Sequence, residues 1–286
     1  NAHTHLGDSI AKEAGEGLSL TELVAPPDGL KHRLLRAASR EEKVAAVRRS
    51  VSFMRASGTA AFLDFREGGV EGVEVLRAAT RDSAVRGFAL ARESVAAMEA
   101  GDGFGAPSAR DGEFGAEREA TREAGKPFGI HAGERDPEDV DGAFALDPDF
   151  LVHMVHPREE HLERLADREI PVVVCPRSNL VTDAGVPPIR DLLERTSVAL
   201  GTDNAMLNSP SMFREMEFAA KLADVPAREV LRMATRAGAE IAGLDCGVIE
   251  SGRPARLLVL DGDSDNLAGT QNAVRGIVRR AGVDDV

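Results

Sequence analysis

Short apolar runs alternate with helical patterns along most of the chain. This leaves few folds open, because a strand, a helix and a further strand in series build βα units around a parallel sheet. Ser39 with Glu42 forms a capping-box start for a helix reaching Arg55, and Ala60–Phe65 reads as the strand after it. Glu71–Thr80 is helical in pattern, Ala84–Leu90 is a strand, and a weaker strand lies near Phe104. Pro127–His131, Phe150–His153, Val172–Cys175 and Val198–Gly201 are short apolar strands, separated by helical stretches at Asp111–Glu123, Arg158–Arg168 and Ile189–Arg195. With a first strand ending at His3 the count is eight. The pattern therefore predicts an α/β protein, a (β/α)8 TIM barrel, and 286 residues suit one barrel of about 250 better than two small domains. Ser211–Leu222 and Ala227–Ala242 read as further helices, and Ala255–Leu260 and Ala273–Arg279 as strands of a small β appendage. The expected division is a barrel over 1–244 and an appendage over 245–286.

His3 and His5 stand at i and i+2, so on a strand both imidazoles project from one face. A lone His-x-His pair carries little weight. Partners stand at the ends of later strands, however: His131, His153 and Asp203. In a parallel barrel all strand C-termini open on one face, where active sites are built. The bland alternative, satisfied core or surface polar residues, would suit one histidine but not this set. Three histidines and a carboxylate suit zinc, with iron or manganese as alternatives, and a set left open for water is catalytic in kind. Glu134, three residues past His131, is placed to move a proton in general acid–base work.

Asn1-Ala2-His3-Thr4-His5 resembles the first-strand motif of the amidohydrolase superfamily, and His131-Ala132-Gly133-Glu134 is similar to the fifth-strand motif of its adenosine and cytosine deaminases. Val152-His153-Met154-Val155-His156, Cys175-Pro176-Arg177-Ser178-Asn179-Leu180 and Gly201-Thr202-Asp203-Asn204 resemble the sixth, seventh and eighth strand ends of its deaminase and chlorohydrolase branch. The resemblance implies that His3, His5, His131 and Asp203 bind one divalent metal, that His153 orients water and that Glu134 shuttles protons. Two-metal members bridge their ions with a carboxylated lysine on the fourth strand, and no lysine lies there in this chain. Gly252–Asp261 resembles the β-sandwich return that follows the barrel in this branch. A partial sandwich is thus expected at the C-terminus, its N-terminal half missing, with a further segment upstream of Asn1. The implied activity is hydrolytic deamination of an aminated nitrogen heterocycle. Dechlorination, amide or cyclic-amide hydrolysis, and a non-catalytic binding barrel are the alternatives. Asn179 and Asn204 are expected to face the barrel mouth and read the ring's edge, with a loop-anchoring role the equal alternative for Asn179.

A formal charge of −13 argues against nucleic acid and anionic membrane surfaces, which call for clustered Lys and Arg. No run approaches the roughly 18–20 apolar residues of a membrane span. The partner expected is a small heterocyclic molecule, with homo-oligomerisation left open. Only five of the 35 basic residues are lysines, against 48 acidic ones, a balance resembling proteins of halophilic archaea. Two cysteines, Cys175 and Cys246, are too few for a disulfide framework and point to a cytoplasmic setting. Cys175 reads as a buried strand residue, His156 as the start of a loop, and His32 and His161 as solvated helix residues. Specificity is expected from the loops Ser9–Gly29 and Gly101–Gly112.

Overall fold

A computed structural model of the chain describes residues 1–25 and 27–286. Nine parallel strands run in chain order: β1 (Thr4–His5), β2 (Ala61–Arg66), β3 (Arg86–Ala91), β4 (Gly103–Ala106), β5 (Phe128–Ala132), β6 (Phe150–His153), β7 (Val172–Val174), β8 (Val198–Leu200) and β9 (Asp203–Asn204). Each of β2 to β8 pairs with its predecessor, so the sheet curls. β8 and β9 are two parts of one strand: the first pairs with β7 and the second with β1, in the register Thr4↔Asp203. The Ala2 amide also donates to Leu200 O at 2.9 Å. The curl thus returns on itself as a TIM-barrel-like α/β fold with helices around it. The first strand is Thr4–His5 rather than a run ending at His3.

Side-chain alternation divides the core by parity. Leu63, Phe65, Phe150, Val152 and Val173 pack in one cluster with Ala199 and Cys175. Their neighbours Leu151, Val172, Val174, Val198 and Leu200 pack with the helices in another. Gly105 and Gly129 make room for the large rings of the first cluster. A Cβ at Gly105 would stand 2.5 Å from Phe65, and one at Gly129 2.3 Å from Phe150.

The helices at Arg40–Ala56, Glu159–Arg168, Ile189–Arg195 and Met212–Leu222 lie where the pattern puts them. The stretch expected as one helix from Ala227 is two, Ala227–Ala234 and Arg236–Ile241, broken at Thr235 (φ −125°, ψ −85°). His161 is fully buried rather than solvated, because its helix turns it inward and its Nδ1 accepts from the Arg158 amide at 3.1 Å. Cys175 is buried and caps the helix Pro176–Val181 just past β7.

The two strands expected near the C-terminus do not form. Ala273–Arg279 is a helix: Asn272 caps it by accepting from the Arg275 amide at 3.0 Å, and its buried Val278 joins the core formed with the helices Met212–Leu222 and Ala227–Ala234. Packing there overrides the β-branched residues' strand preference. Ala255–Leu260 has no regular structure, since the closed barrel offers it no edge to pair with. Among the described residues no strand lies beyond Asn204, and no helix is long and apolar enough to cross a membrane.

Candidate active site

The strand ends bring five predicted residues together. Thr4 points away from its neighbours and donates its hydroxyl to Asp64 Oδ1 at 2.9 Å, which leaves His3 and His5 on one side with ring centroids 4.9 Å apart. His5 Nε2 lies 3.4 Å from His131 Nε2 and 3.6 Å from Asp203 Oδ1, while His3 Nε2 lies 3.3 Å from the same oxygen. Ligands about 2.1 Å from a tetrahedral ion stand roughly 3.4 Å from one another, and these three pairs match that spacing; donor atoms within 4.8 Å of one another form two overlapping groups, His3–His5–His131 and His3–His153–Asp203. The ring tautomers fit as well. His131 Nδ1 donates to Ala106 O at 2.8 Å, and His5 Nδ1 faces two acceptors, Phe65 O at 3.0 Å and Glu67 Oε1 at 2.7 Å. Each Nε2 therefore keeps a lone pair for an ion. Among the described residues neither ring nitrogen of the fully buried His3 makes a well-aligned hydrogen bond, its 3.3 Å approach to Asp203 included, a costly state that an ion would relieve. The chemistry and spacing of these donors would suit a divalent metal.

Backbone strain accompanies this arrangement. His153 (φ 79°), Met154 (φ 46°) and Asp203 (φ 57°) adopt the left-handed region, at about 1–3 kcal/mol each. The helix Pro176–Val181 holds two of them from behind. Ser178 Oγ donates to Asp203 Oδ2 at 2.5 Å, and the Asn179 amide lies 3.1 Å from His153 Nδ1. Arg177 and Glu215, paired at 2.6 Å, fasten that helix to Met212–Leu222.

Asn179 is fully buried behind His153 and does not line the cleft, whereas Asn204 does line it while donating to Asp8 Oδ2 at 2.8 Å. Glu134 Oε2 lies 3.6 Å from His153 Nε2, and burial pushes its pKa up. Burial also pushes Asp203 upward, but the His3 contact and the surrounding histidines outweigh it and hold Asp203 well below the carboxylate range. Burial and the Lys31 ammonium bring His5 down to about 3. The donor set is thus neutral imidazoles and an ionised carboxylate.

Above this floor lies an open cleft of about 760 Å³, including solvent at its mouth, roofed by Leu20, Thr21 and Val24. That segment lies in the stretch expected to be loop, yet it carries the helix Leu20–Val24, and the helix Leu30–Ala37 begins directly after it. The sequence reading missed Glu67, Lys31 and Arg92: Glu67 accepts from Lys31 Nζ at 2.7 Å and from Arg92 Nη1 at 3.2 Å, and both cations line the cleft. Glu67 and Arg92 follow β2 and β3 directly, a position that could have flagged them.

A buried His/Asp cluster at the C-terminal mouth of a parallel barrel, with a glutamate beside it, is the arrangement expected of metal-dependent barrel hydrolases. The chain matches the amidohydrolase family over residues 1–286, and it belongs to that family. It is a hydrolase of carbon–nitrogen bonds acting on small molecules. It is 38% identical over 300 residues to a protein of Methanothermobacter thermautotrophicus named only as an aminohydrolase, covering 91% of this chain and 77% of that protein. A 5-methylthioadenosine/S-adenosylhomocysteine deaminase of Haloquadratum walsbyi is 38% identical over 148 residues, 48% of this chain and 33% of its own length. The fold is shared with a zinc-bound adenosine deaminase of Xanthomonas campestris: TM-score 0.86, 22% identity, 100% of this chain and 76% of that one.

Proposed function

We propose that the chain is a hydrolytic deaminase of aminated nitrogen heterocycles that holds one zinc ion through His3, His5, His131 and Asp203. The observation that carries the reading is the convergence of His3, His5, His131 and Asp203 at the strand ends with Glu134 Oε2 3.6 Å from His153 Nε2, where burial raises Glu134 and the neighbouring histidines lower Asp203. Such a split assigns an acid and a base. A bound divalent metal supplies Lewis acidity that makes water easier to deprotonate at neutral pH. Asp203 and His153 take the proton of the attacking water, whose oxygen bonds to the ring carbon bearing the amino group. Glu134 gives its proton to the adjacent ring nitrogen. The carbon–nitrogen bond then breaks as Asp203 and His153 return the first water proton to the amine, which departs as ammonia, and the oxygen's remaining proton passes to Glu134 as the ring carbonyl forms.

The single-metal count is supported by β4, Gly103–Ala106, which has no lysine, and by Lys126, whose Nζ is committed to the carbonyls of Met98, Glu99 and Gly101. The Haloquadratum relative makes purine nucleosides the first ring class to test. Asn204 is the residue proposed to meet the ring. For Asn179 we propose a positioning role through His153. The free thiols of Cys175 and Cys246 favour a reducing, cytoplasmic setting, and the acidic composition favours a halophilic source.

The test is ammonia release from purine, pyrimidine and triazine amines by the metal-loaded protein. Activity should fall as pH rises through the elevated Glu134 pKa, because only its protonated form can donate. Glu134→Gln should keep the metal and lose at least a hundredfold in kcat. Near-normal turnover in that variant, or release of chloride but not ammonia, refutes the reading.

A further inference from the structure

Lys31 is one of only five lysines, and it is 2% exposed in the wall of the cleft. Taking an ammonium out of water is costly unless it is paired. Its one hydrogen-bond partner among the described residues is Glu67 Oε1 at 2.7 Å, which leaves two of its three donors unused. Arg92, 7% exposed, uses Nη1 on the same oxygen at 3.2 Å, while its Nε and Nη2 have no acceptor among the described residues. One carboxylate thus faces two cations. The nearby Asp8 does not make up the difference at neutral pH, since burial pushes it up to about 8. Glu67 Oε1 also lies 2.7 Å from His5 Nδ1, so the excess positive charge sits one imidazole away from the metal-facing Nε2.

We propose that Lys31 and Arg92 form an anion-binding subsite, and that the substrate is an aminated heterocycle carrying a carboxylate or phosphate on a short arm toward the β2–β3 side of the cleft. The ring half of this statement rests on the deaminase reading, and the anion half does not. Two buried donors with unused N–H groups match a planar carboxylate or a phosphate face, whereas a neutral arm would leave the excess charge unanswered. A purely structural clasp between the helix Leu30–Ala37 and β2 would stabilise the fold without ranking substrates by charge.

The experiment compares metal-loaded wild type, Lys31→Met and Arg92→Gln, with folding checked by circular dichroism and metal content. Ammonia release is measured with adenosine, adenosine monophosphate and adenosine-5′-carboxylic acid, which share a ring and carry a neutral, a phosphate and a carboxylate arm. The expected result is a kcat/KM at least tenfold higher for one charged compound than for adenosine, with each variant reducing that ratio at least fivefold. The favoured compound then names the anion. Equal rates in wild type, or a ratio both variants leave unchanged, overturn the subsite while leaving deamination standing. If no ring releases ammonia, calorimetric titration with inorganic phosphate and acetate decides. Binding that both variants weaken at least fivefold keeps the subsite and discards the deaminase reading, and binding indifferent to both overturns it. Should Lys31→Met fail to fold, Arg92→Gln alone is read.

Discussion

Val172–Val174 and Leu257–Val259 are both fully apolar triplets, Val-Val-Val and Leu-Leu-Val, with opposite fates. The first is β7, fully buried between β6 and β8. The second is unstructured, with Leu257 62% and Val259 80% exposed. Strand preference is thus a statement about neighbours rather than about backbone, and only the segment with a free edge on each side becomes a strand. The same contrast separates the barrel mouth from the tail. At the mouth a side chain's direction is fixed by strand register, by a helix behind it and by partners from other strand ends. In the tail after Leu244, Ile249 is 91% exposed and little constrains it.

The contrast is broken most severely by removing a donor at the mouth. His131→Ala should lose metal affinity and lower kcat/KM by at least a thousandfold, because the remaining donors cannot complete the set. Elemental analysis of the variant checks this directly. Full metal content would show that the cluster is less determined than its geometry implies.

Asn179→Ala should have a smaller effect. The side chain meets His153 rather than the cleft, so kcat should fall about 10- to 100-fold with KM and substrate ranking preserved. A changed ranking would restore the ring-recognition role expected from the motif. The placement of Asn179 behind His153 was unreadable from sequence for a definite reason. Asn179 lies four residues beyond Cys175, and Pro176 turns the chain there into a helix that aims the amide back at β6. The ends of β5, β6 and β8 were legible because their apolar runs reach His131 and His153 and, three residues past Leu200, Asp203. Glu67 and Arg92 could have been flagged by their place just past β2 and β3, but their meeting with Lys31 could not, since it joins positions 36 and 25 residues apart through two strand ends and a helix. The helix at Leu20 was legible in Ser19-Leu20-Thr21-Glu22, a complete capping box, but was overlooked within a stretch read as loop.

Salt should act on the surface and leave the mouth alone. At 1 M the screening length is about 3 Å, so the repulsion of a −13 chain is damped, yet exposed pairs such as Arg122–Asp147 are weakened too. The net expectation is a rise of a few degrees in Tm between dilute buffer and molar KCl, read by thermal denaturation. An unchanged or lower Tm would remove the halophile reading.

The smallest expected effect is the most exacting, because it asks whether the tail's exposure holds in solution. Leu200 and Leu257 are the same residue in the two environments, 0% and 62% exposed. Truncating a buried leucine costs about 2–5 kcal/mol, so Leu200→Ala sets the scale. Leu257→Ala removes side-chain atoms that water already reaches, and its unfolding free energy in urea should stay within about 0.5 kcal/mol of wild type. Val259→Ala should behave alike. A loss of 2 kcal/mol or more at either position would mean that the run is covered in solution, by another copy or by a surface absent from this chain, and concentration dependence of that loss would separate the two. In that event the triplets would differ only in which molecule supplies the neighbour.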